Sequence, residues 1–490
     1  MQPRKAKTAT AKGLVEAALR GALTQAQARR LANENPEVLV FALLAASQRI
    51  AEQDKRLSEQ DTVIASLQRQ SQSQGPSAST PSGMVPIYTK PNTPKRRKKP
   101  GARKGHSGHR RKTPERIDER ETHRLKCCPG CGGPLQRCQH KRTRIIEDIP
   151  EEIEPVVTEH TIHRDYCPQC KKHVEPVVPD ALPRAALGHH LISLTSWFHY
   201  GLGVTIDQII DILSYHLQTE LTPGGLINAW QRLSEILLAW YEQIAEEAKN
   251  SAYLHADETG WRINGQGCWL WCFANDRNCY YMIEYCRGSP VLQKFFTEEF
   301  DGVLITDFWA AYDSVDAADR QKCLPHLLRE LEKVDKRNDS AEWQAFAKKL
   351  RRLLRDGIRL RKRSDFAPKR YQSRIDRLNH RVGQMAYEEH ADADAQRLTK
   401  RLRRYGDYLF TFLDYLYVTA DNNFGERQIR PAVILRKNSQ SNRSDRGAAT
   451  QAILMSVYRT LRLRGLNPTK TITNALKTYL TTGELPSLPT

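Results

Sequence analysis

Four hundred and ninety residues, at roughly 150 per domain, predict about three domains with ample chain to bury real cores. Lys and Arg number 76 against 56 Asp and Glu, a net charge of +20; a surplus that size, where clustered, suits a polyanion such as nucleic acid or an anionic membrane surface. The longest wholly apolar run, Val38 to Ala46, has nine residues where a bilayer span needs roughly 20, the opening MQPRKAKTAT lacks the apolar core of a secretory signal, and 11 cysteines in that context are expected as reduced thiols, some of them metal ligands.

Residues 1–71 are expected to be helical. From Pro36 to Gln70, Leu43, Ile50, Leu57 and Ile64 recur every seven residues, the a-position stripe of a coiled coil. The d positions are half polar, so the stripe either pairs chains or folds back on its own protein. Residues 72–122 form a Ser/Pro/Gly/Gln-rich linker that runs into a basic arm. Between Lys90 and Lys112 that arm holds 11 Lys/Arg and no acid, with Arg96, Arg97, Lys98 and Lys99 at its centre. Such a segment cannot bury a core and is expected to order on meeting an anion.

Residues 123–183 read as a small β-rich module built on two Cys-x-x-Cys pairs. Thirty-five residues separate the pair Cys128 and Cys131 from the pair Cys167 and Cys170. Two thiolates on each of two tight knuckles complete the tetrahedral sulfur set that Zn2+ prefers. A redox reading expects one such motif at a helix start instead. Cys127, Cys138 and His140 stand close enough in sequence to substitute as ligands.

Residues 184–250 carry helical periodicity in TIDQIIDILSYH and TPGGLINAWQRLSEILLAWYEQIAEEA. Their short connection permits a helix-turn-helix, although any helical hairpin reads the same. Strands follow at SAYLHAD, CWLWCFA, CYYMIEY and GVLITD. Asn264–Gly265 and Asn275–Asp276 supply the turns of a meander, and a helix before the fourth strand provides the crossover to a parallel partner. Residues 319–417 are expected to be a basic helical insertion, with 25 Lys/Arg against 15 Asp/Glu. The core resumes over 418–465, and 466–490 read as a C-terminal tail.

Three carboxylates carry the catalytic expectation. Asp257 is expected to close the first strand and Asp307 the fourth, where neighbouring side chains can share a metal. Holding two Mg2+ (or Mn2+) ions roughly 3.5–4 Å apart for in-line phosphoryl transfer needs a third acid, and Glu426 is the candidate. On a helix ended by Pro431, Asn423, Glu426, Arg427 and Arg430 share one polar face. The bland alternatives are turn-forming aspartates and an ordinary Glu426–Arg430 ion pair. Glu258 and Asp421 compete for their neighbours' roles. Trp261 and Trp309 flank the aspartates as either base-stacking or packing side chains.

ADETGW around Asp257, TDFWAAY around Asp307, DNNFGERQIRP with RKNS around Glu426, the paired CPxC knuckles and CLPHLLREL with Cys323 and His326 together resemble the insertion-sequence-66 group of bacterial DDE transposases. The resemblance covers most of the chain. It implies a multidomain α/β protein with a ribonuclease-H-like catalytic core interrupted by the insertion. Its metal-binding triad would be Asp257, Asp307 and Glu426. It implies Mg2+-dependent cleavage and strand transfer at the inverted repeats ending an insertion sequence, in a cytoplasmic, nucleoid-associated setting. Expected partners are double-stranded DNA, further copies of the chain and accessory proteins of the same element. Arg427, Arg430, Arg436 and Lys437 would hold DNA backbone, while end recognition would fall to the zinc module, the basic arm and the 205–249 helices. The loop QSNRSDRGAA departs from the family's aromatic and Gly-Ser pattern. Rival readings are a zinc-dependent DNA-binding regulator with an inactive core and a junction-resolving nuclease.

Overall fold

The computed structural model describes residues 29, 40, 44, 53, 114–136, 143–150, 153–363 and 367–490. Residues 1–77 and 78–490 form two compact units. In the first, Arg29, Val40, Leu44 and Gln53 are helical. The heptad positions Leu43, Ile50, Leu57 and Ile64 lie outside the described residues, as do Arg96, Arg97, Lys98, Lys99, Cys138 and His140.

In the second unit a two-stranded ribbon, β1 (Asp165–Cys167) and β2 (Lys172–Val174), carries the second cysteine knuckle. The flanking segments 143–150 and 153–164, within the module expected to be β-rich, are irregular. Their apolar side chains, among them Ile146, Val156 and Val157, are exposed, so they have no buried face to pair over.

Four helices follow: α1 (His189–Ser196), α2 (Ile206–Leu217), α3 (Pro223–Ile236) and α4 (Leu238–Lys249). Thr205 and Gln208 close a capping box at the start of α2. Thr222 caps α3 with Pro223 at its first position, and the helix expected as one element breaks at Leu237. Leu226, Trp230, Leu233, Trp240 and Ile244 join the main sheet and the C-terminal helices in one hydrophobic cluster, so this helical layer covers the sheet.

The main sheet holds β3 (Tyr253–Ile263), β4 (Gln266–Ala274), β5 (Cys279–Glu284), β6 (Phe300–Thr306) and β7 (Ala317–Lys322) in the order β5-β4-β3-β6-β7. The first three pair antiparallel, while β6 and β7 are parallel to β3. Asn264 and Gly265, at φ 49° and 79°, give the β3–β4 hairpin its two-residue turn, whose backbone twist needs positive φ at both positions. The crossover to β6 contains α5 (Ser289–Phe295). β7 occupies part of the segment expected to open the helical insertion.

The insertion proper comprises α6 (Leu324–Val334), α7 (Ala341–Leu360), α8 (Pro368–Ala386) and α9 (Ala393–Tyr405). Its apolar stripes close a second core with Val303 and Ile305 of β6, while Phe300 and Leu304 belong to the first. Alternation along one strand thus serves both cores.

Beyond the insertion come α10 (Asn423–Ser439), α11 (Asp445–Leu463) and α12 (Pro468–Thr482). Pro431 does not end α10. Ile429, Ala432 and Leu435 are buried on both sides of it, and that burial outweighs one lost backbone hydrogen bond. The expected C-terminal tail is folded as well: Asn467 caps α12, and the indole of Trp240 donates to the carbonyl of Pro486.

Candidate active site

β3 runs on past Asp257 instead of ending there. Its pairing with β6 stops at His255–Ile305, while its pairing with β4 continues to Ile263–Gln266. Beyond His255 the second edge of β3 is therefore served by other groups. The Asn422 side-chain amide donates to the Ala256 carbonyl at 2.9 Å, Arg436 donates to the Gly260 carbonyl, and the Asn442 N–H donates to the Arg262 carbonyl at 3.2 Å. The two parallel strands separate at this level, and the crevice beyond strand carboxyl ends is a common ligand position in such sheets. Asp257 and Asp307 flank it, and α10 brings Glu426.

The electrostatics of these acids are unfavourable as they stand. Asp257 and Asp307 are 4% and 3% exposed. Burial raises the Asp257 carboxyl well above its usual range, and Glu258, Asp307 and Glu426 push in the same direction. Burial, then Glu258, pushes Asp307 up to about 7, against the Trp309 N–H, Lys322 and Arg287. Asp307 Oδ1 accepts from the Trp309 N–H at 2.8 Å. Its Oδ2 is buried with no hydrogen-bond partner among the described residues. A buried carboxylate oxygen left open beside further acids is a donor set suited to a hard divalent cation. Among the described residues, no three potential ligands are drawn together closely enough to form a closed metal cage.

Glu426 has its own setting. Arg329 Nη2 lies 3.3 Å from Glu426 Oε1, and His326 Nε2 lies 3.7 Å from it. Burial, then Arg329 and Lys333, depress His326 to about 3. Cys323 caps α6 and its sulfur accepts the Asn422 N–H at 3.2 Å. Cys323 and His326 therefore join α6 to the start of α10. No sequence signal beyond the Cys-x-x-His spacing pointed to that junction.

The remaining expected residues separate into two groups. Arg427, Arg430 and Lys437 are exposed on α10. Arg436, expected beside them, is half-buried and also donates to Thr259 Oγ1 at 3.1 Å. Trp261 is buried, with its indole donating to Asn442 Oδ1 at 2.7 Å, and Trp309 lies over Arg287. Trp261 is thus held in the core, while Trp309 remains partly exposed. Asn442 comes from the QSNRSDRGAA loop, which thereby closes onto the β3–β4 hairpin. Asp421 Oδ1 accepts the Asn423 N–H at 3.0 Å, so it turns the chain into α10. The α2–α3 pair carries Asp207, Asp211, Glu220 and Glu235 against Arg232, and Arg232 donates to the Pro183 carbonyl. A groove-reading pair of that sign would repel phosphate.

Each cysteine knuckle is formed locally. The Gly132 N–H donates to the Cys128 carbonyl at 2.8 Å, and the Cys170 N–H approaches Cys167 Sγ at 3.4 Å. Backbone N–H groups, first that of Gly130, hold the Cys128 thiol below its usual range. The Cys170 N–H does the same for Cys167. Thiols biased toward thiolate suit zinc, although among the described residues the two knuckles are not gathered into one set.

A family model described as Transposase IS66 family matches residues 184–450, more than half of the chain. The chain belongs to the IS66 transposase family. Two uncharacterized proteins of Sinorhizobium fredii (strain NBRC 101917 / NGR234) are similar to it. One, y4qI, is 25% identical over a 262-position alignment that covers 46% of this chain and 48% of that protein. The other, y4jD, is 22% identical over a 393-position alignment that covers 70% of this chain and 72% of that protein. The match thus spans about half the length of y4qI. The IS66 match contains Asp257, Asp307 and Glu426 and leaves the knuckles and α12 outside it. No helix among the described residues is long and apolar enough to cross a membrane.

Proposed function

We propose that this IS66-family chain cuts and joins DNA at the inverted repeats of its insertion sequence, using Asp257, Asp307 and Glu426 as a triad that holds two divalent cations. The sheet order, three antiparallel strands followed by two parallel ones, supports a ribonuclease-H-like core with α6–α9 inserted before α10. The open Oδ2 of buried Asp307 carries the proposal, because that burial is costly without a cation.

Asp257, on which both other acids act, would hold the ions together with Asp307 and Glu426. Mg2+ or Mn2+, when bound, supplies activation of a water or 3′-hydroxyl and stabilisation of the leaving 3′-oxygen. The protein's part is placement: α10 fixes Glu426, and Arg427, Arg430 and Lys437 present charge to flanking phosphates. Arg352, Arg355 and Arg359, exposed along one face of α7, would offer further phosphate contacts. The two knuckles would share a structural Zn2+. The basic arm would capture backbone, and the heptad stripe would pair chains.

The test incubates the full chain with duplexes bearing the element's ends and Mg2+ or Mn2+, beside Asp257→Asn. Metal-dependent nicking and strand joining by the unaltered chain alone support the proposal. Binding without nicking in both indicates a regulator, and cutting without joining indicates a nuclease. Chain pairing is read separately from the solution mass of the doubly substituted Ile50→Asp, Leu57→Asp chain, which should fall.

A further inference from the structure

Beside the two aspartates lies a charged group that the two-metal reading does not use. Glu258 is fully buried next to Asp257, where a third unpaired carboxylate would repel both neighbours. It is paired instead. Arg287, from the loop between β5 and α5, places Nη2 3.0 Å and Nε 3.1 Å from Glu258 Oε1. Tyr312 donates its hydroxyl to Glu258 Oε2. The Arg287 guanidinium is held between two indoles, its carbon 4.5 Å from the Trp269 ring centre and 3.9 Å from that of Trp309. An arginine fixed by a fork and two aromatic faces retains little freedom.

The contacts form a continuous path between the aspartates. The Glu258 N–H donates to Asp257 Oδ1 at 3.0 Å. From the Glu258 carboxylate the path runs through Arg287 to Trp309, whose indole N–H donates to the Arg287 carbonyl at 3.3 Å. The Trp309 backbone N–H then holds Asp307 Oδ1 at 2.8 Å. Strand pairing cannot set the spacing here, because β3 and β6 have already separated.

We propose that Arg287, acting through Glu258 and Trp309, is the positioning residue that sets the Asp257–Asp307 spacing and with it the affinity for divalent cations. The inference rests on the triad reading above. Side chains that orient metal ligands typically change metal affinity by roughly 10- to 100-fold when removed, which sets the expected size.

The experiment compares the full-length unaltered chain with Arg287→Gln, Arg287→Lys and Asp257→Asn. Mn2+ binding is titrated by electron paramagnetic resonance, and end-duplex cleavage is followed against Mg2+ concentration. DNA affinity without metal and circular dichroism complete the set. Arg287→Gln should weaken Mn2+ binding and raise the half-saturating Mg2+ by roughly 10-fold or more, with DNA affinity unchanged. Arg287→Lys, which keeps the charge but not the fork, should fall between. Unaltered Mn2+ affinity in folded Arg287→Gln overturns the inference, as does a loss confined to DNA affinity, which would make Arg287 a phosphate contact. If Arg287→Gln does not fold, Trp309→Phe takes its place, with a smaller loss expected and unchanged affinity again overturning. Failure of the unaltered chain to bind Mn2+, or equal binding by Asp257→Asn, defeats the triad reading itself.

Discussion

Asn422, four residues before Glu426, donates its side-chain amide at 2.9 Å to the carbonyl of Ala256, the residue before Asp257 in β3. Its side-chain oxygen faces His255 Nδ1 at 2.8 Å, and its own N–H reaches Cys323. One buried side chain thus registers a helix-borne acid against a strand-borne one. Asn422→Ala should cost about 1–3 kcal/mol, the usual result of orphaning buried polar groups. Cleavage should fall further than that stability loss explains. Thermal unfolding and single-turnover cleavage check both, and full cleavage by the folded variant would refute the registering role.

Asp307 gives a pH signature. Its folded value is raised to about 7, so its contribution to stability is full below the ordinary aspartate range and is lost as pH rises through about 7. In chelator, Asp307→Asn should match the unaltered chain near pH 4 and melt higher near pH 8. The gap should be a few degrees for a chain of this size. Mg2+ should narrow that gap by compensating the charge. Melting curves from pH 4 to 8 with and without Mg2+ decide it, and a gap that ignores Mg2+ argues against a cation site. His255 and His326, depressed to about 4 and about 3, act in the opposite sense. Their share is present above about 6.5 and is lost as pH falls toward those values, in both proteins alike.

The α10 cations should separate by role. Arg427→Gln and Arg430→Gln should each weaken binding to any duplex and lower the salt slope by about one, with unfolding unchanged. Arg436→Gln should instead lower the melting temperature, because its partners are the Thr259 hydroxyl and the Gly260 carbonyl. Salt-dependent binding isotherms beside melting curves check the division. Unchanged melting of Arg436→Gln would contradict it.

Zinc is testable by content. The purified chain should carry about one Zn2+ held by Cys128, Cys131, Cys167 and Cys170. Cys128→Ser combined with Cys167→Ser should abolish it. Elemental analysis reads the outcome, and undiminished zinc in the double variant would move the ligands elsewhere.

Much of the sheet was readable from the chain. Asn264–Gly265 fixes the first hairpin, β-branched and aromatic runs mark the next strands, and the crossover helix forces a parallel partner. Strand β7 was not readable, since ADRQK has the composition of a surface helix and pairs because β6 offers it an edge. Pro431 misled for a local reason: its cost is local, while the burial of Ile429 and Leu435 that overrides it is tertiary. The placement of the three acids was legible in part: Asp307 directly follows a strand end and Glu426 lies on a polar helical face, whereas Asp257 sits inside a strand that runs on to Ile263. Arg287 was invisible, because CRGSP carries no periodicity and its meaning arises only where two indoles from separate elements meet.

Helix α6 turns His326 and Arg329 toward Glu426, and its Glu330 is gripped by Arg397 and Arg401 of α9. The insertion is therefore wired in series with the third acid. A shortened chain joining β7 directly to α10 would keep Glu426 in its sequence yet remove the lateral support that aims it. Grafting a different insertion would demand a new anchor for that glutamate.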